Sequence, residues 1–162
     1  MDDDEARYRL PRTVIPRRYD LVLEPDLDAM TFAGSEIVTV EVSEPVDEIV
    51  LNADGLELGP ARLEGPGGTL EITEIRLDHE TERAYLSLPS TAGAGEWRLF
   101  LDFRGRLSDQ LEGFYRSTYA DDAGVTHTIA TTQFESTDAR RAFPCWDEPD
   151  LKAVFGLSLI HI

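Results

Sequence analysis

From Tyr19 onward, apolar and polar residues alternate with a period of two, in short runs that each end in turn chemistry. Tyr19, Leu21 and Leu23 interleave with Asp20, Val22 and Glu24, and Ile37 to Val42 follows an expected turn at Gly34. Ile49–Leu51, Leu70–Ile72, Ala84–Leu88 and Trp97–Phe103 repeat the pattern, and strands are also expected at Gly113–Tyr119 and Thr126–Thr132. Glu24-Pro25-Asp26, Asn52-Ala53-Asp54-Gly55, Gly65-Pro66-Gly67-Gly68 and Ala92-Gly93-Ala94-Gly95 separate the runs. Such residues supply the special backbone angles of turns. Strands at spacings of roughly 8–12 residues predict an all-β fold, an antiparallel β-sandwich or curved sheet. Only Asp138–Phe143 can turn helically, and Pro144 stops it after about one turn.

The 162 residues suit one domain with a real core. Residues 1–8 read as a disordered acidic tail and 9–156 as the domain. The start, MDDDEARYRL, is acidic where a secretory signal is basic and then apolar, and no apolar run reaches 18 residues. The expectation is a cytoplasmic protein beginning at its natural start. Cys145, the one cysteine, forms no internal disulfide and reads as a buried apolar side chain beside Trp146. A net charge of −17 opposes binding to nucleic acid and to anionic membranes, which both need clustered cations.

Thr132 to Pro149, TQFESTDARRAFPCWDEP, is denser in chemistry than a solvated loop requires. Gln133 and Glu135 flank Phe134, two arginines adjoin, and a cysteine sits beside a tryptophan. Two readings fit. One is a pocket wall whose fixed polar groups orient a ligand. The other is a structural corner with Arg140 and Arg141 paired to Asp147 and Glu148. If Thr132–Glu135 is extended, Gln133 and Glu135 share a face while Phe134 packs behind.

Other catalytic constellations fare poorly. His79-Glu80-Thr81-Glu82-Arg83 begins like HExxH, but Arg83 stands where the second ligand belongs. His127 falls in a strand-like stretch and His161 near the end. No nucleophilic triad or phosphate-cradling glycine loop is present, and the neighbouring carboxylates Asp147 and Glu148 point apart in extended chain. No metal ligands and no catalytic residues are expected within these residues.

TQFESTDARRAFPCWDEP resembles the segment that closes the N-terminal domain of M1-family zinc aminopeptidases, the puromycin-sensitive branch in particular. Arg9-Leu10-Pro11, Pro16 to Leu21, TFAGS (Thr31–Ser35) and GFYRSTY (Gly113–Tyr119) extend the resemblance in order along nearly the whole chain. It implies an N-terminal β domain with a large saddle-shaped sheet, in a parent that removes amino-terminal residues from peptides by metal-activated water attack. It further implies that Gln133 walls the first subsite and Glu135 binds the substrate's α-ammonium, a charge-assisted contact. The zinc, its HExxH ligands and the GAMEN-like motif would lie on a downstream catalytic domain, the chain's partner alongside peptides with a free N-terminus. The rival readings are a non-catalytic β-sandwich that binds protein or carbohydrate, and an inactive M1 homologue serving as a scaffold.

Leu157-Ser158-Leu159-Ile160-His161-Ile162 can be back-translated into the end of a widely used sequencing transposon. Residues 157–162 are therefore expected to be non-native, the true reading frame diverging near Gly156 or Leu157. A genuine apolar strand is the alternative.

Overall fold

The structure is a computed structural model that describes residues 9–160; the acidic tail of residues 1–8 and His161 lie outside the described residues. Eleven strands carry the described chain: β1 (Val14–Asp26), β2 (Thr31–Val42), β3 (Val46–Asn52), β4 (Glu57–Gly65), β5 (Gly68–Glu71), β6 (Glu74–Asp78), β7 (Arg83–Ala92), β8 (Gly95–Arg106), β9 (Gly113–Ala120), β10 (Thr126–Gln133) and β11 (Val154–Leu159). One 3-10 turn, Ala139–Arg141, sits in the segment where a single helical turn was expected. The fold is all-β, as the alternation predicts.

A six-stranded sheet in the order β11-β1-β2-β8-β4-β5 faces a three-stranded sheet, β3-β7-β6, while β9 and β10 form a separate ribbon. All pairings are antiparallel except β1 with β11, which run parallel from Arg18–Val154 to Leu23–Leu159. The core lies between the two larger sheets. Tyr19, Leu21 and Leu23 of β1, Val38, Val40 and Val42 of β2, and Trp97, Leu99 and Phe103 of β8 meet Ile49 and Leu51 of β3 and Ala84 and Leu86 of β7. Alternate residues on each of these strands face outward, which is the period seen in the sequence.

Three expectations change. Gly34 is no turn: it sits inside β2 opposite Phe103, and a Cβ there would come within 2.3 Å of the Phe103 ring. The β1–β2 turn is instead made after Asp26, whose carboxylate accepts the backbone N–H groups of Asp28 (3.0 Å) and Ala29 (2.8 Å). Glu24-Pro25-Asp26 therefore completes β1 instead of ending it. Strands β4 and β6 are additional, and a bulge between Leu58 and Ala61 lets β4 accommodate Pro60.

Glu36 breaks the alternation chemically while obeying it geometrically. It shares the inward face of β2 with Val38 and is 2% exposed. Neither carboxylate oxygen has a hydrogen-bond partner among the described residues. Burial pushes its pKa well above the ordinary glutamate value, which favours the protonated carboxyl in the core.

Candidate functional site

β10 runs to Gln133 and stops there. Residues 135–138 turn, and the Asp138 N–H closes the turn onto the Phe134 carbonyl at 3.0 Å. The Gln133 side-chain oxygen accepts the Glu135 N–H at 3.0 Å, and the Glu135–Ser136 peptide is cis. Gln133 and Glu135 are thus gathered by a clasped turn. The expected mechanism, a shared strand face in an extended Thr132–Glu135, does not operate, because the strand has already ended. Phe134 packs behind only in part: it is 37% exposed and meets Phe143 edge-on at 6.0 Å.

Both candidate side chains are exposed. Among the described residues Glu135 makes no ion pair, so its charge is available to a ligand. The clasp uses the Gln133 amide oxygen and leaves its NH2 as a donor. A carboxylate beside an amide donor suits a small group carrying a cation and a carbonyl, and by itself performs no bond chemistry.

The support for the turn is ionic on one side and aromatic on the other. Arg140, only 11% exposed at its side chain, binds Asp147 (3.0 Å) and Glu82 (2.9 Å). Arg141 reaches Asp54 (3.1 Å) and Asp138 (3.2 Å). The structural-corner reading of the arginines is correct for Asp147, but Glu148 is taken by the N-terminal segment. Its carboxylate accepts from the Leu10 N–H (2.5 Å), Arg12 (2.6 Å) and Arg9 (3.2 Å). Asn52 laces the far end down, exchanging backbone hydrogen bonds with Cys145 (2.7 and 2.9 Å) and accepting the Asp147 N–H at 3.2 Å. The Arg140–Asp147 pair, with side chains 11% and 13% exposed, matters chiefly because removing one partner strands the other charge.

Glu82 and Asn52 are the members that sequence reasoning missed. Glu82 reads as part of a charged loop, and that loop, between β6 and β7, is where the structure puts His79. Asn52 reads as a turn residue. Their roles depend on residues more than 50 positions away, and no local pattern announces them.

Cys145 is buried, and burial together with Asp147 pushes its thiol pKa well up, so it is an apolar filler and not a nucleophile. The Tyr19 hydroxyl accepts the Trp146 N–H at 3.1 Å. His127 bonds Asp121 at 2.8 Å and stacks on Tyr119 at the tip of the β9–β10 ribbon. Among the described residues no group of three or more histidine, cysteine, aspartate or glutamate side chains is placed to hold a metal. The described residues therefore do not fit a zinc site.

Residues 15–162 match the family model of the peptidase M1 N-terminal domain. The chain is 47% identical over 158 residues to aminopeptidase M1-C of Oryza sativa subsp. japonica, covering 98% of this chain and 18% of that protein. It is 40% identical to aminopeptidase M1 of Arabidopsis thaliana over 163 residues, with 98% and 18% covered. Against aminopeptidase N of Bos taurus it is 40% identical over 168 residues, with 96% and 17% covered. The chain thus spans less than a fifth of the length of these relatives.

Proposed function

Since the chain belongs to the peptidase M1 N-terminal domain family, we propose that it is the substrate-anchoring β domain of a larger zinc aminopeptidase that trims peptides from a free N-terminus. One observation carries the reading: the clasped turn bonds the Glu135 backbone to the exposed Gln133 side chain and leaves the exposed Glu135 carboxylate without an ion pair among the described residues. A peptide's N-terminal residue offers an α-ammonium, which a carboxylate neutralises, and a first side chain and carbonyl, which an amide can border. In this reading Glu135 holds the ammonium and Gln133 walls the first subsite.

Bond cleavage belongs to the part of the parent beyond these residues, where we assign the zinc and its activated water. The apolar residues that β11 exposes ahead of the suspect tail, Val154 and Phe155, are the surface we assign to that part, in keeping with relatives more than five times longer. We place the parent in the cytoplasm, where a lone thiol such as Cys145 stays reduced.

The test is Glu135→Ala in the full-length parent with aminoacyl reporter substrates. A charge-assisted contact contributes roughly 1.5–3 kcal/mol, so kcat/KM should fall about 10–150-fold with little change in thermal stability. A folded variant within twofold of wild type would reduce Glu135 to a surface residue.

A further inference from the structure

Three aromatic contacts converge on Phe143, which is 5% exposed. Its ring meets Tyr19 edge-on at 5.9 Å and 76°, Phe155 at 6.2 Å and 77°, and Phe134 at 6.0 Å and 72°. Tyr19 and Phe155, neighbours across the β1–β11 ladder, stack face to face at 4.8 Å and 1°. Tyr19 cannot shift easily, because it is 2% exposed and its hydroxyl is bonded to the Trp146 backbone. Phe143 is therefore pinned on its sheet side by β1 and β11, and on its other side it meets Phe134.

Phe134 is the residue between Gln133 and Glu135. The hydrogen bonds from Glu135 to Gln133 and from Asp138 to Phe134 set the internal shape of the turn. They do not by themselves fix the turn over the sheet: Arg141 holds its Asp138 end, and its Gln133–Glu135 end carries Phe134. Among the described residues the aromatic contact of Phe134 is with Phe143, and rocking Phe134 swings both flanking side chains. An edge-to-face pair is directional, unlike a generic apolar contact.

We propose that Phe143 is a positioning residue for the Gln133–Glu135 pair, transmitting the fixed frame of Tyr19 and Phe155 through Phe134 to the amine-binding carboxylate. The inference rests on the reading of Glu135 as amine anchor. A leucine at 143 fills most of the space but presents no ring edge, so the core survives while the aromatic hold on the Gln133–Glu135 end of the turn is lost.

The experiment uses the full-length parent carrying Phe143→Leu or Phe134→Leu, each alone and combined with Glu135→Ala, with free-amine aminoacyl reporters. Each leucine variant should lower kcat/KM about 3–10-fold, the size expected for one aromatic pair, with the loss carried by KM and kcat within twofold. In the Glu135→Ala background each should cost less than twofold more, because the group being positioned is already gone. Equal losses in both backgrounds would make Phe143 general structural support and overturn the proposal. A costly Glu135→Ala with both leucine variants at wild-type activity overturns the positioning role alone, whereas a silent Glu135→Ala removes the anchor and the proposal with it. Should Phe143→Leu fail to fold, Phe134→Leu at its half-exposed position carries the same comparison.

Discussion

Gly113 and Arg141 approach so closely that a Cβ on Gly113 would lie 2.5 Å from the Arg141 Cβ. Gly113 also has φ of +64°, opens β9, and stands opposite Gln133 in the ladder. Glycine is thus required twice at the position that seats the arginine turn beside the candidate site. Gly113→Ala should destabilise the domain by about 2–4 kcal/mol, adding left-handed strain to overpacking. In thermal unfolding that is a Tm drop of roughly 5–15 °C for a chain of this size. A shift under about 2 °C would mean that the turn slides away at little cost.

Gln133→Ala in the full-length parent should reduce kcat/KM less than Glu135→Ala and should alter the preference among first residues, because it removes a wall and not a charge. Glu135→Gln should fall between wild type and Glu135→Ala. N-acetylated substrates lack the ammonium, so they should be poor and should respond equally to wild type and Glu135→Ala. Strong discrimination between the two enzymes on acetylated substrates would count against the amine contact.

Glu36 predicts an unusual pH dependence. Its folded pKa lies above its unfolded one, so the folded domain keeps a proton that the unfolded chain has released. The stabilisation is complete below the unfolded value and is lost as pH rises through the folded value. Tyr19 and Cys145, whose pKa values are also raised by burial, act in the same sense at higher pH. Glu36→Gln removes the titrating group, so its Tm relative to wild type should climb steadily from about pH 5 to about pH 8. A Tm difference that stays flat across that range would show that Glu36 ionises normally.

Sequencing the source DNA tests the final residues. β11 includes Leu157, Ser158 and Leu159, and its alternation would suit either a native strand or a fortuitous one. Amplification across the locus should yield a frame that departs from the present one by Leu157 or shortly after and later encodes HExxH. The same six residues followed by a natural stop codon would remove the adapter explanation and favour a stand-alone module.

β1 from Tyr19, β2 from Glu36, β7 from Ala84 to Leu88 and β8 from Trp97 were legible because their inward residues alternate there. Gly34 misled because a glycine inside an alternating run reads as a break, while here it makes room for the Phe103 ring across the ladder. β4 was hidden by Pro60 and by a bulge that shifts its phase. Glu36 was visible in principle, since it keeps step with Val38 and Val40, but a charged residue in that phase looks like an outward one. At the site, Gln133 and Glu135 could be named from their chemistry and their resemblance to a family pattern. The turn that joins them could not, because its local hydrogen bonds replace the extended strand that a two-residue spacing suggests, and the Tyr19–Phe143–Phe134 chain beneath could not, because Tyr19 is distant in sequence from the other two.

The parallel pairing of β1 with β11 has a consequence for how the chain is made. The first long strand receives its outer neighbour last, after roughly 130 more residues have been synthesised, on the order of 6–26 s at about 5–20 residues per second. Throughout that interval one edge of β1 is unpaired, and an open strand edge invites other chains. Until Val154–Leu159 pairs along it, the Arg18–Leu23 edge of β1 is the open one.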